Sequence, residues 1–177
     1  EGDYSNAAFL EAFNYFTGNI NVKNLNENSL QGDKIYQDYF KKLNEGNVTL
    51  DISNCIDLGP ILMVLSLFSK TPVRFTNIHR LRLKESNRID SMVNNLRKLN
   101  AKIEAKENEL IIYPSRLKRT KEILHSYNDH RVMMSLVVLA TCINGYTMID
   151  NMECVKKSYV NFYKDMQSLG IELGLHE

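Results

Sequence analysis

One pattern occurs three times in the sequence, at residues 12–25, 65–78 and 139–152. Each copy contains the end of an apolar helix, a short turn, a segment that alternates as on a strand, then an asparagine and an apolar residue. The asparagines are Asn24, Asn77 and Asn151. Repeated units of this kind bury their apolar faces against one another, so the repeat constrains the fold strongly. The sequence therefore predicts an α/β protein built from three related units.

A second, amphipathic helix follows each copy, within residues 33–44, 86–100 and 157–170. In the middle one, apolar side chains recur at the spacing of a single helical face: Ile89, Met92, Val93, Leu96 and Leu99. Further strands are predicted at residues 101–106 and 171–175. Residues 108–114 predict one more strand, which would form a hairpin with the strand at 101–106.

The first helix of each unit has a different character from the second. Residues 57–69 and 129–142 are apolar on nearly every side, which predicts that these helices are buried all round. Asp57 precedes Pro60 in the first, and Asp129 opens the second, in keeping with the preference for Asp at the N-cap and Pro in the first turn. If the units pack around an axis, these helix starts meet at one end, where free N–H groups favour an anion.

Basic side chains cluster at the predicted helix starts, where the helix dipole already contributes positive charge. Residues 80–84 alternate basic and leucine side chains, which predicts a half-buried strand leading into the helix. Lys84 and Arg88 lie near the start of that helix, Arg131 near the start of another, and Lys157 at the start of the last. Cations at a helix start are unfavourable because they are repelled by the helix dipole. A multiply charged anion would offset this repulsion, because Arg pairs with carboxylate and phosphate.

Two carboxylates, Asp57 and Glu85, belong to the same regions, so acid–base chemistry is possible. Simpler interpretations stay open. A basic run is often a solvated face, Glu85 could be a first-turn carboxylate, and Asp57 and Asp129 could be plain helix caps. No histidine or cysteine spacing suggests a metal site.

Composition narrows the class of protein. The 177 residues are most simply one domain, 1–177, and a net charge of +1 argues against a nucleic-acid or membrane partner. The three cysteines lack metal-like spacing and predict a reducing, cytoplasmic setting. The apolar runs are shorter than the roughly 20 residues of a membrane span. The sequence does not begin with Met, which predicts that it is part of a longer one.

The stretch "RLRLKESNRI" at 80–89, followed by "SYNDHRVMM" at 126–134, resembles the paired signatures of the 5-enolpyruvylshikimate-3-phosphate synthases, or 3-phosphoshikimate 1-carboxyvinyltransferases. Residues 1–9, 28–33, 57–60 and 154–159 match in the same order. The resemblance implies an inside-out α/β barrel of three βαβαββ-type units with buried parallel helices. Members are more than twice this length, so the chain resembles their carboxyl-terminal domain, with the amino-terminal domain as its partner.

The implied reaction transfers the enolpyruvyl group of phosphoenolpyruvate to the 5-hydroxyl of shikimate 3-phosphate and releases phosphate, with no cofactor. Asp57 matches the proton acceptor for the attacking hydroxyl, and Glu85 the acid–base residue at the enolpyruvyl methylene. The phosphoenolpyruvate-binding cations are matched by Arg88, Arg131 and Lys157. Asp57 and Lys84 match positions on the shikimate 3-phosphate side.

The sequence departs from the family at two places. Arg80 stands where many members have Asn as a shikimate-phosphate ligand, which leaves its role open. Residues 43–51 pass quickly from helix to strand, where the family often has two more strands. The alternatives are a UDP-N-acetylglucosamine enolpyruvyl transferase, which the two signatures disfavour, and a non-catalytic anion-binding module. We expect the isolated chain to be inactive, because domain closure completes such sites.

Overall fold

The computed structural model describes residues 2–16 and 18–174. Within these ranges the helices are α1 (Tyr4–Glu11), α2 (Tyr36–Glu45), α3 (Gly59–Ser66), α4 (Arg88–Lys98), α5 (His130–Thr141) and α6 (Phe162–Ser168). The strands are β1 (Val48–Asp51), β2 (Val73–Thr76), β3 (Ile103–Ala105) and β4 (Glu109–Ile112). Short 3₁₀ turns cover Ala12–Tyr15, Gly32–Ile35, Ile56–Leu58, His79–Leu83 and Met152–Lys157.

The four strands form one mixed sheet in the order β1-β2-β4-β3. Strand β1 runs parallel to β2, with Val48 opposite Val73, because helix α3 carries the chain back between them. Strand β4 is antiparallel to both β2 and β3. Residues 48–112 therefore form a complete βαβαββ unit, which confirms the expected unit in the middle of the chain, including the hairpin of β3 and β4.

Helices α3 and α5 lie in the core. Every residue of α3 is buried, as is α5 from His130 to Leu139, which confirms that helices apolar on all sides are buried on all sides. The inward side chains of the sheet, including Leu50, Phe75 and Leu110, are fully buried with them. Among the described residues, no helix has both the length and the apolar character to cross a membrane.

The three repeat asparagines share an unusual backbone conformation. Asn24, Asn77 and Asn151 have φ values of 65°, 56° and 46°, in the left-handed region that Asn tolerates better than most residues. The sequence repeat thus corresponds to a recurring turn, even where the flanking strand is absent.

Several predicted strands are wrong. Residues 18–25 are irregular, and the backbone N–H and C=O of Ile20 bond to the side chain of Asn14 at 2.7 and 2.6 Å instead of to a strand. In the third unit the predicted strand is reduced to one bridge between Leu124 and Ile149. Residues 171–174 are irregular, and residue 175 lies outside the described residues. Among the described residues, segments 18–25 and 171–174 have no partner strand, and the third-unit segment has only the bridge to Leu124, so the alternating pattern alone does not produce a ladder.

The basic segment at 80–84 is also not a strand. Residues His79–Leu83 form a 3₁₀ turn in which Leu81 is fully buried but Leu83 is 80% exposed. Asp57 does not cap α3; it lies in the preceding 3₁₀ turn, and its carboxylate is used in ion pairs. Asp129 does cap α5, accepting hydrogen bonds from the backbone of Arg131 at 2.9 Å and of Val132 at 3.4 Å.

Candidate functional site

The guanidinium of Arg88 joins three carboxylates. Arg88 is the first residue of α4, and its side chain is 0% exposed. Its Nε donates to Asp129 Oδ2 at 2.8 Å, its Nη1 to Asp57 Oδ1 at 2.7 Å, and its Nη2 to Glu85 Oε2 at 2.9 Å. Charge-assisted bonds of this geometry are strong and directional, so Arg88 fixes the positions of all three acids.

Arg131 forms the second centre of the network. It lies in the first turn of α5, where its Nη2 is 3.3 Å from Asp57 Oδ2 and its Nη1 donates to Asn6 Oδ1 at 2.8 Å. Its guanidinium also lies 5.7 Å from the ring centroid of Phe9. The Nε of Arg131 is buried without a hydrogen bond among the described residues. Asp57 therefore bridges two arginines, and one buried N–H group of Arg131 has no hydrogen-bond partner among the described residues.

The remaining predicted cations differ in their contacts with this network. Lys84 Nζ is 3.4 Å from Asp57 Oδ1 and joins the network. Lys157 is exposed at the rim, with its Nζ 3.3 Å from the backbone oxygen of Asn128. Arg80 instead donates to the backbone oxygen of Ser53, in the connection between β1 and α3, at 3.1 Å.

Electrostatic interactions favour the charged forms of Asp57 and Asp129. Burial would raise the pKa of Asp57, but the hydrogen bond from Arg88 and the charges of Arg131, Arg88 and Lys84 lower it to about 2. The pKa of Asp129 is lowered despite its burial, mainly by Arg88. Burial and the neighbouring charge of Arg131 lower the pKa of His130, so this side chain is neutral near pH 7.

These contacts join the starts of four helices. Asn6 belongs to α1, Asp57 immediately precedes α3, Arg88 begins α4, and Asp129 and Arg131 flank the start of α5. The expectation that helix starts converge at one end is confirmed. Helix dipoles and cations act together there. The carboxylates of Asp57, Glu85 and Asp129 compensate them, and Asp33 also interacts with the charge of Arg131, so an external anion could exchange with a carboxylate.

One group of possible metal ligands falls inside the network. Ligand atoms of Glu85, Asp129 and His130 lie within 4.8 Å of one another. However, Arg88 already contacts both oxygens of Asp129 and one oxygen of Glu85. A metal cation there would lie beside a buried guanidinium that already occupies the carboxylates, so this group does not fit a metal.

Sequence reasoning missed three members of the network. Asn6 and Ser86 were not singled out, although Ser86 Oγ donates to Asp129 Oδ2 at 3.1 Å. Asp129 was interpreted only as a helix cap, whereas it also forms the fully buried partner of Arg88. Both Asn6, within "EGDYSNAAF", and Ser86, within "RLRLKESNRI", lie in stretches that match the family, so a signal existed for each.

Comparison with known proteins places the chain in a family. The family profile "EPSP synthase (3-phosphoshikimate 1-carboxyvinyltransferase)" matches residues 1–166. A 3-phosphoshikimate 1-carboxyvinyltransferase from Clostridium acetobutylicum is 38% identical, over 96% of this chain and 43% of the relative. The corresponding protein of Chlamydia muridarum is 34% identical, over 99% of this chain and 44% of the relative. The chain thus spans less than half the length of these relatives.

Solved structures show the same fold. An EPSP synthase from Acinetobacter baumannii matches with a TM-score of 0.60 and 24% identity, over 66% of this chain and 28% of that one. The enolpyruvyl transferase NikO from Streptomyces tendae matches with a TM-score of 0.59 and 19% identity, over 71% of this chain and 28% of that one. From the profile match, the relatives and the shared fold, we conclude that the chain belongs to the EPSP synthase family.

Proposed function

We propose that this chain provides part of the active site that transfers the enolpyruvyl group of phosphoenolpyruvate to the 5-hydroxyl of shikimate 3-phosphate, releasing phosphate. The observation that carries the proposal is the network around Arg88, because separate family signatures converge in it. It unites Asp57, Lys84, Glu85, Arg88 and Arg131 through contacts of 2.7–3.4 Å. Both substrates are polyanions, and this is the cationic end of the buried helices.

Phosphoenolpyruvate is proposed to bind at Arg88, Arg131 and Lys157. The buried Nε of Arg131 has no hydrogen bond to lose, but a ligand reaches it only if neighbouring side chains move. The side chain of Arg88 is fully buried by its acids, so it can bind the ligand only if Asp57 or Glu85 gives up its contact. Both acids are partly exposed, with 29% and 36% of their side chains accessible, which makes the exchange feasible.

The lowered pKa of Asp57 connects substrate binding with proton transfer. A carboxylate with a pKa of about 2 is a weak base. Polyanions at Arg131 and Lys84 would neutralise the charges that lower this pKa, so substrate binding would make Asp57 a stronger proton acceptor. Shikimate 3-phosphate is proposed to lie beside Asp57 and Lys84, with Arg80 outside the contact network.

The chemistry balances with these two carboxylates. The hydroxyl oxygen bonds to C2 of phosphoenolpyruvate as its proton passes to Asp57, and C3 gains a proton from Glu85. Elimination then breaks the bond from C2 to the phosphate oxygen, and the proton held by Asp57 passes to the departing phosphate. A C3 proton returns to Glu85, which thereby regains the protonated form in which it began the cycle. Proton transfers by positioned side chains commonly contribute about 10²–10⁴-fold each. Fixed cations would stabilise the charge that develops on the departing phosphate.

The chain is proposed to act as one domain, residues 1–177, together with an amino-terminal domain of the kind its relatives possess. Less than half of each relative is matched, so cations from the rest of the enzyme would complete the site. The isolated chain is therefore proposed to be inactive. A cytoplasmic location is supported by the free thiols of Cys55, Cys142 and Cys154.

A mixing experiment tests the proposal. The chain is combined with the amino-terminal domain of the Clostridium acetobutylicum relative, and phosphate release from phosphoenolpyruvate is measured with shikimate 3-phosphate or UDP-N-acetylglucosamine. We expect release only with shikimate 3-phosphate, and none from either part alone. Release with UDP-N-acetylglucosamine would favour the alternative transferase, and turnover by the isolated chain would refute its proposed inactivity.

Matched variants connect the activity with the network. Glu85→Ala and Arg131→Ala should each lower phosphate release by about 10²-fold or more. Glu122→Ala and Arg119→Ala remove the same types of side chain from exposed positions outside the network and should leave it unchanged. Silence with both acceptors, from parts shown to fold and associate, would favour the non-catalytic anion-binding module.

A further inference from the structure

The segment that leads into α5 has a strained backbone. Tyr127 and Asn128, immediately before the Asp129 cap, have φ values of 54° and 57°. The left-handed region is unfavourable for residues with a side chain, and consecutive residues stay there only where their surroundings hold them. The contacts of residues 124–128 therefore indicate what holds the start of α5 in place.

Asn95 holds this segment from the side of α4. Its side chain is fully buried, and its Oδ1 accepts a hydrogen bond from the backbone of His125 at 2.8 Å. Its Nδ2 donates to the backbone oxygen of His125 at 2.7 Å and to that of Ser91 at 2.9 Å. The Asn95 side chain thus forms hydrogen bonds with both the backbone N–H and the C=O of His125, as a neighbouring strand would.

Asp150 holds the segment from the other side. Its Oδ1 accepts from the backbone of Ser126 at 2.7 Å, and its Oδ2 lies 2.6 Å from Nδ1 of His125. The bridge beside it adds backbone bonds from Leu124 to Met148 at 2.9 Å and from Asp150 to Leu124 at 3.1 Å. The two carboxylate oxygens of Asp150 therefore bind His125 and Ser126, the two residues immediately before the strained pair.

The strained conformation connects this arrangement with the arginine network. In this conformation the backbone oxygen of Asn128 accepts a hydrogen bond from Lys157 Nζ at 3.3 Å. The side-chain Oδ1 of Asn128 accepts one from Asn151 Nδ2 at 3.1 Å. The next residue, Asp129, caps α5 and pairs with Arg88. No ion pair or hydrogen bond joins Asp150 to these cations in the part of the chain that the structure describes. Its side-chain contacts reach them through residues 125–128, beside the bond from its neighbour Asn151 to Asn128.

We propose that Asp150 is a positioning residue: by binding the Ser126 amide and the His125 imidazole, it keeps Tyr127 and Asn128 in the left-handed conformation that sets Asn128 against Lys157 and Asp129 against Arg88. Hydrogen exchange of the chain tests this directly. In Asp150→Ala, the amides of Asn128 and Asp129 should exchange roughly 10- to 100-fold faster, the range that hydrogen bonds to a charged group provide. These two amides bond to Ser126, not to Asp150.

Three further variants complete the exchange experiment. Asp150→Asn retains an oxygen for the Ser126 amide and should restore most of the protection. His125→Ala removes one of the two contacts and should give a smaller acceleration at the same amides, which provides a milder test should Asp150→Ala fold poorly. Asp38→Ala removes an exposed carboxylate of α2 and should change nothing. Unchanged exchange at Asn128 and Asp129 in Asp150→Ala, or equal acceleration in Asp38→Ala, overturns the proposal.

A second measurement uses the mixing assay and rests on the proposed function. In Asp150→Ala, KM for phosphoenolpyruvate should rise about 10-fold with kcat within about threefold, since cations are displaced while the acid–base groups remain. Asp150→Asn should recover the unsubstituted KM. An unchanged KM would overturn the influence on the cations. If the unsubstituted mixture is inactive, the proposed function fails, while hydrogen exchange still decides the role of Asp150.

Discussion

Replacing Arg88 by methionine tests the central claim about the network, that one buried cation compensates three acids. Methionine fills a similar volume but leaves Asp57, Glu85 and Asp129 without their shared partner. The first two acids are partly exposed and keep water as a partner. Asp129 is 0% exposed, so its charge becomes both buried and unpaired. Removing one member of a buried pair costs about 3–5 kcal/mol, and we expect a loss of that size at pH 7.

The direction in which the stability loss of Arg88→Met changes with pH gives a sharper test than the size of the loss at pH 7. In the unsubstituted chain, the pKa values of Asp57 and Asp129 are lowered, so their stabilisation is fully present above the unfolded value near 3.9 and is lost as the pH falls through each lowered pKa, which for Asp57 is about 2. In Arg88→Met, burial without the cation should raise the pKa of Asp129 above its unfolded value. The deficit should then be largest at pH 7 and shrink as the pH falls through that raised pKa.

Urea unfolding followed by circular dichroism at pH 7, 5.5 and 4.5 measures both quantities. Arg74→Met serves as the control, because Arg74 is exposed and its partner Glu109 keeps a second cation, Lys106, so we expect a small change at all three pH values. A double variant, Arg88→Met with Asp129→Leu, should recover part of the lost stability, since both buried charges are removed. A loss below 1 kcal/mol in Arg88→Met, or a deficit that does not vary with pH, would refute the reasoning.

Three further predictions concern other parts of the structure. Gly59→Ala would place a Cβ 2.7 Å from the buried Leu81 side chain, so it should lower the free energy of unfolding by about 1–3 kcal/mol in a urea titration; a neutral result would show that Leu81 moves easily. Asn77→Ala should cost about 1–2 kcal/mol by the same measurement, because alanine tolerates φ of 56° poorly, whereas Asn77→Gly should be close to neutral; equal losses would exclude the backbone explanation. Lys84→Ala should weaken phosphate binding, measured by calorimetry, more than Arg80→Ala, since only Lys84 contacts Asp57; the reverse order would contradict the positions described here.

The helices were predictable from the sequence, whereas the strands were predictable only in part. The spacing of apolar residues in α4 and the all-round apolar character of α3 and α5 determine burial locally, so those predictions are confirmed. A strand also needs a neighbour that lies elsewhere in the chain. Residues 73–76 have one in β1, but residues 18–25 do not, although both alternate. The strand predicted from the alternating basic residues at 80–84 was wrong for a related reason. This segment forms a 3₁₀ turn, in which Leu81 is the buried residue.

The members of the site were easier to predict than their contacts. Charge at the helix starts and the resemblance to the family identified Asp57, Glu85, Arg88 and Arg131, all of which meet in the network. The complete burial of Arg88 was not predictable, because it depends on Asp129, which comes from a different unit. Sequence pattern describes one element at a time, while the network is formed between elements.

The network also has a consequence for the order in which the protein folds. Arg88 lies 41 residues from Asp129, Arg131 lies 74 from Asp57, and Arg131 lies 125 from Asn6. Contacts so distant in sequence form only after long loops have closed, whereas the helices and the hairpin of β3 and β4 need mostly local contacts. We therefore expect the charged centre to assemble last, once all the units have docked. Early intermediates would have much of the native secondary structure while lacking the ability to hold an anion.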